Sequence, residues 1–152
     1  MEFDLRPAEE ADREFLYVLH CQTMRDVIDQ TWGWDEAWQR RDFDRRFNEY
    51  LVSIIAFEGK EAGGLLLEWK PGSLYIHEIQ LLPEYQGRGI GTAVVQKVIE
   101  QGARRKLPIT LSVVPANQRA KSLYERLGFE VTGVESPFIR MRHNALLVNG
   151  AV

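Results

Sequence analysis

Gln86-Gly87-Arg88-Gly89-Ile90-Gly91 is the stretch whose reading decides the fold. It follows a strand-like run over 74–82 and a Pro83-Glu84-Tyr85 corner, and it opens a helix-like run over 92–105. Glycines at alternate positions leave no side chain on the inner wall of this corner. Backbone N–H groups can then point into one concavity, backed by a helix N-terminus, and such a concavity suits an anion such as a diphosphate. Arg88 adds a positive charge. A P-loop is excluded, because neither Lys nor Ser follows Gly91. A dinucleotide fingerprint is excluded too, because only Ile90 separates the second and third glycines. The plain alternative is a glycine-rich turn into a helix, and on this stretch alone both readings stand.

In context the stretch resembles the coenzyme A pyrophosphate loop of the GNAT superfamily, the acyl-CoA-dependent N-acyltransferases. That loop reads Gln/Arg-x-x-Gly-x-Gly/Ala, and Gln86, Gly89 and Gly91 match it. A second feature of the family lies downstream: Asn117, then Ala120-Lys121-Ser122-Leu123-Tyr124-Glu125-Arg126-Leu127-Gly128-Phe129. The two motifs keep the family's order. The resemblance is strongest over 73–134 and continues over 3–70. It implies a single domain over residues 1–152 of the α/β (α+β) class. The sheet would be mixed and mostly antiparallel, with six to seven strands, about four flanking helices, and the fourth and fifth strands splayed.

Composition agrees with a globular chain: 152 residues, 45% hydrophobic and 27% charged. The net charge of −3 argues against a sequence-independent nucleic-acid binder. No apolar run approaches membrane-spanning length, and the acidic Met1-Glu2-Phe3-Asp4 start has no secretory core, so no membrane partner and a cytoplasmic location are expected. The one cysteine, Cys21, precludes an internal disulfide. The three histidines, His20, His77 and His143, show no ligand spacing, and no metal is expected.

Residues 3–6 alternate and read as a first strand. The acidic run Glu9-Glu10-Ala11-Asp12 suits the start of a helix. Phe15, Leu16, Leu19 and Met24 carry that helix to about Met24 or Ile28. A loop around Gly33 leads to a second helix over 35–50, with Trp38, Phe43 (or Asp42) and Phe47 as an imperfect apolar face. Residues 51–57 are a buried strand. A Glu58-Gly59-Lys60 turn returns the chain as a strand over 61–69, in which Gly63-Gly64 marks a bulge. The fourth strand, 73–82, carries polar residues on both faces, with His77 on one and Glu78 and Gln80 on the other. Val94, Val95, Val98 and Ile99 give the next helix one packing face. A fifth strand covers 109–114, Asn117 caps a last helix that Gly128 stops, and 129–134 and 138–143 form a closing hairpin. Residues 144–152 read as a tail or a few more strand residues.

The resemblance implies acetyl-CoA as co-substrate and a small-molecule amine as acceptor, joined in a ternary complex. Gln86, Gly87, Arg88, Gly89, Ile90 and Gly91 would hold the diphosphate. The backbone of Ile79, Gln80 and Leu81 would hold the acyl group and pantetheine arm, with Asn117 as a further pantetheine contact. Tyr124 matches the tyrosine that protonates the leaving sulfur, and its other reading is a core tyrosine. Where some members carry a basic Glu in the fifth strand, this chain has Ser112. Glu78 is then the first candidate base and His77 the second, each with a strand hydrogen bond as its plain reading. Trp32 and Trp34 would line the acceptor pocket or serve as packing anchors. Two other functions remain open: a lysine or N-terminal protein acetyltransferase, and an acyl-CoA-binding sensor without catalysis. A homodimer is also open.

Overall fold

The computed structural model describes residues 2–144. Its seven strands are β1 (Phe3–Pro7), β2 (Leu51–Phe57), β3 (Lys60–Lys70), β4 (Ser73–Leu81), β5 (Ile109–Val113), β6 (Glu130–Glu135) and β7 (Phe138–His143). They form a mixed sheet in the order β1-β2-β3-β4-β5-β7-β6. Four α-helices occur among the described residues: α1 (Arg13–Trp32), α2 (Glu36–Glu49), α3 (Ile90–Arg104) and α4 (Gln118–Arg126). The pairings β1–β2, β2–β3, β5–β7 and β6–β7 are antiparallel. β4 and β5 are parallel and register only from Leu74↔Ile109 to Ile76↔Leu111, so the strands splay beyond Ile76. By contact density the chain divides into two compact units, Met1–Leu67 with Glu78–Gly91, and Glu68–His77 with Thr92–Val152.

In the first unit, Asp12 fixes the short 3-10 turn, Glu10–Asp12, that leads into α1. Its carboxylate accepts two bonds from Arg6, at 2.8 and 2.9 Å, and one from the Glu9 backbone N–H at 2.8 Å. The helix buries Leu16, Tyr17, Leu19, His20 and Ile28. It runs to Trp32, further than the apolar stripe predicts, because nothing interrupts it before Gly33 at φ 84°. The Asp35 side chain caps α2 by accepting from Trp38 N–H at 3.0 Å. The inward face of α2 is Gln39 and Phe43, whereas Trp38, assigned to that face from the sequence, is 51% exposed. Leu16, Tyr17, Leu19, Phe43 and Ile54 form one buried cluster. Glu58 and Gly59 both take positive φ, as a tight type I′ hairpin demands. Gly63 and Gly64, expected to form a bulge, pair regularly with Ile55 and Ile54; the register shifts just before them, between Ile55 and Ala56, leaving Ala62 as the extra residue.

In the second unit, α3 buries Val94, Val95 and Val98. Ile109, Leu111 and Val113 alternate with half-buried Thr110 and Ser112 along β5. Asn117 caps α4 by accepting from Ala120 N–H at 3.3 Å, and Gly128 at φ 96° ends it. The β6–β7 hairpin closes the chain as expected. The tail read from the sequence lies, from residue 145 on, outside the described residues. Among the described residues no helix is long and apolar enough to cross a membrane.

Candidate active site

The glycine corner follows from local geometry. A 3-10 turn at Pro83–Tyr85 takes the chain off the end of β4. Gly87 and Gly89 then adopt φ of 71° and 82°, values that a side-chain-bearing residue reaches only at a cost. Gly87, Arg88 and Gly89 are exposed. Ile90 is fully buried and anchors the first turn of α3, which opens two residues earlier than its sequence suggests. The Gln86 side chain donates to the Leu81 carbonyl at 2.9 Å and ties the corner to the end of β4. The Arg88 guanidinium lies over the rings of Phe57, at 5.0 Å, and Tyr85, at 5.6 Å.

The polar residues of β4 have built surroundings. Glu78 is largely shielded from solvent, and its Oε1 lies 2.7 Å from the Arg46 guanidinium. The same oxygen is 3.5 Å from His20 Nδ1, and Oε2 accepts from the Gln80 amide at 2.8 Å. Burial alone would raise the Glu78 pKa. The charge of Arg46, with help from His20, outweighs it and holds the carboxyl at about 2. Such a carboxylate takes up protons poorly at neutral pH, so the geometry does not suit the general-base role weighed for it from the sequence.

His77 faces a different set of groups. Its Nε2 is 2.9 Å from Glu68 Oε1, and its ring meets Tyr75 edge-on at 4.6 Å. The Tyr75 hydroxyl donates to Ser112 Oγ at 3.0 Å, and Arg140 donates to the same oxygen at 3.0 Å. Ser112 is thus an acceptor shared by two side chains.

Of the two tryptophans, Trp32 at the end of α1 is 56% exposed. Trp34 is half-buried, donates from its indole to Glu36 at 2.7 Å, and carries Arg25 over its ring at 5.1 Å. Glu36 also accepts from the Tyr17 hydroxyl at 2.7 Å. Its pKa is lowered, by the Trp34 bond first and the Tyr17 bond second. In α4, Tyr124 is buried with its ring 5.3 Å from that of Phe129, and Asn117 sits at the cap. Burial pushes the Cys21 thiol up, away from nucleophilic use.

A sequence profile of the acetyltransferase (GNAT) family matches residues 13–129. The chain belongs to the GNAT family. It is 29% identical over 93 residues to a mouse thialysine N-epsilon-acetyltransferase, covering 54% of this chain and 55% of that one. It is 43% identical over 67 residues to an uncharacterised N-acetyltransferase of Methanocaldococcus jannaschii, covering 43% of this chain and 30% of that one. The match thus spans less than two thirds of the length of these curated relatives. Among solved structures, it is similar to the PaiA N-acetyltransferase of Thermoplasma acidophilum in complex with coenzyme A. That likeness has a TM-score of 0.76 at 16% identity and covers 93% of this chain and 98% of that one.

In this GNAT chain the residues singled out from sequence fall into two sets. Glu78, Ile79, Gln80, Leu81 and the 86–91 corner share the first unit with Trp32 and Trp34. His77, Asn117 and Tyr124 belong to the second. Sequence reasoning missed His20 and Arg46, which lie against Glu78 and Gln80, Gln39, which bonds to His20, and Glu68, which partners His77. His20 carried a usable signal: it lies four residues after Leu16, on the apolar stripe of α1. Arg46 carried none, being one of many charges in a charged helix.

Proposed function

We propose that this GNAT protein is an acetyl-CoA-dependent N-acetyltransferase that moves the acetyl group directly to the amine of a small molecule. The 86–91 corner carries the reading. Its two left-handed glycines are exposed and stand immediately before a 15-residue helix. The N–H groups at a helix start have no partner within the helix, and the dipole there favours negative charge. No heavy atom would meet a Cβ at Gly87, so the approach to that backbone is open to a bulky diphosphate. The mouse relative, named for N-epsilon-acetylation of thialysine, supports an amine acceptor.

Acetyl-CoA supplies a thioester carbonyl already activated toward an amine, so positioning contributes much of the rate. In this reading Gln86, Gly87, Arg88, Gly89, Ile90 and Gly91 hold the diphosphate. The backbone of Ile79, Gln80 and Leu81 holds the acyl group and pantetheine arm, with an N–H of this stretch meeting the acyl oxygen as negative charge develops on it. Asn117 contacts the pantetheine arm, and Tyr124 donates its phenolic proton to the departing sulfur. His77, oriented by Glu68, accepts the proton of the amine in preference to the ion-paired Glu78. Trp32 and Trp34 border the acceptor.

The test is a panel of small amines and lysine peptides incubated with acetyl-CoA and enzyme, read as released thiol. Turnover with a small amine above that with any peptide supports the proposal. Peptide turnover alone would make it a protein acetyltransferase. No thiol from any amine, with acetyl-CoA bound, would make it a sensor.

A further inference from the structure

Five polar side chains are packed together beneath β4, and the acyl-transfer steps just described use none of them directly. His20 is 1% exposed, Gln39 5% and Gln80 7%. Arg46 and Glu78 complete the group, with side chains 11% and 13% exposed. Burying an ion pair seldom stabilises a fold beyond what apolar residues of the same volume would give. The arrangement is better explained by what it holds in place.

The hydrogen bonds run in one sense. His20 Nε2 donates to Gln39 Oε1 at 2.9 Å, so the neutral ring carries its proton on Nε2. Its Nδ1 then accepts from the Gln80 amide at 3.5 Å, while the same amide donates to Glu78 Oε2 at 2.8 Å. The Gln80 side chain is therefore held by an imidazole and a carboxylate together. Its main chain is confined as well. A Cβ at Gly63 would overlap the Gln80 carbonyl oxygen, and the next carbonyl, that of Leu81, is taken by Gln86.

We propose that His20 is a positioning residue for acyl transfer: through the Gln80 side chain it fixes the backbone of residues 79–81 in the geometry that receives the acyl oxygen. The inference rests on the function proposed above for that backbone. It makes the positioning dependent on the charge of His20. Protonation at Nδ1 would turn an acceptor toward Gln80 into a donor toward Glu78 Oε1, 3.5 Å away, and Gln80 would lose one of its two anchors.

The groups facing His20 are Glu78 on β4, Arg46 on α2 with its second partner Asp42, and Tyr17 on α1, whose ring is 6.4 Å away. Phe43 and Trp34 complete the walls, at 6.1 and 6.0 Å. Burial would lower the His20 pKa, but the bond and charge of Glu78, with Gln39, outweigh both burial and Arg46 and raise it above the ordinary 6.5. Glu78 is held near 2, and Arg46 and Tyr17 are pushed up. Of these groups, His20 is the one whose ordinary pKa already lies in the physiological range, and so the member placed to change charge.

Two measurements test the proposal. In wild-type protein, NMR should show the backbone amides of Ile79, Gln80 and Leu81 shifting with pH along the same curve as the His20 ring. In His20→Gln that dependence should vanish. In kinetics, the pH profile of kcat should carry a rising component that follows the His20 titration, and His20→Gln should keep only the component due to the base, His77. That variant should show kcat lower by about 10- to 100-fold with the Kd for acetyl-CoA unchanged. Amides of 79–81 that ignore the His20 titration overturn the proposal, and that result needs no variant to fold. A variant that loses acetyl-CoA affinity and kcat together also overturns it, since that is what a merely structural histidine would do. Failure of wild-type protein to bind acetyl-CoA would instead overturn the proposed function, and the amide titration is read independently of that.

Discussion

The Arg46 guanidinium lies 2.7 Å from the Glu78 carboxylate, both side chains largely shielded from solvent, in a pair that joins α2 to β4. Removing one member leaves an uncompensated charge in the interior. Glu78→Ala should therefore cost about 3–5 kcal/mol of stability. Replacing both residues, Arg46→Met with Glu78→Met, should recover most of the loss. Urea unfolding of wild type and the two variants checks this. A loss near zero for Glu78→Ala would mean that the pair is not formed in solution.

The same pair sets an acid limit. The folded pKa of Glu78, about 2, lies below its ordinary 4.5, so its contribution is complete above 4.5 and fades as pH falls toward 2. The stability gap between wild type and Glu78→Gln should shrink as pH falls below about 4.5. His20 works in the opposite direction. Its folded pKa is raised, so its contribution is present below 6.5 and is lost as pH rises through the folded value. Unfolding at a series of pH values, with His20→Gln for comparison, separates the two.

Gly63 and Gly64 are neighbours with different constraints. A Cβ at Gly63 would overlap the Gln80 carbonyl, which is backbone and held in the sheet. A Cβ at Gly64 would meet the tip of Leu16 at 2.5 Å, and a side-chain tip can turn away. Gly64→Ala should cost about 1–3 kcal/mol and Gly63→Ala more. Thermal melts decide it, and equal losses would contradict the close approach at Gln80.

Tyr124→Phe keeps the buried ring that packs beside Phe129 and removes only the hydroxyl. Turnover should fall by about 100- to 10,000-fold with coenzyme A affinity nearly intact. Unchanged turnover would remove Tyr124 from the mechanism.

Much of the fold was legible because its signals are local. Alternate glycines, an Asn cap, a Gly stop and apolar periodicity mark the 86–91 corner, α3 and α4 with no knowledge of distant contacts. The length of α1 was less legible, because its apolar stripe thins after Met24 although the helix runs to Gly33. Trp38 was misread because size and apolarity assigned it inward, whereas the tertiary packing of α2 buries Gln39 and Phe43 instead. The surroundings of Glu78 were hidden for a similar reason. Arg45 and Arg46 look alike in sequence, yet Arg45 pairs with Asp42 and Glu49 at the surface while Arg46 reaches Glu78. Only the packing of α1 and α2 separates a solvated arginine from a buried one.

The most direct test of the central claim is calorimetric titration of the purified protein with acetyl-CoA, coenzyme A and ATP. The proposed role of the 86–91 corner predicts binding of acetyl-CoA and coenzyme A in the micromolar range and none of ATP. Absence of coenzyme A binding would contradict it, and with it the roles given to the corner, Asn117 and Tyr124.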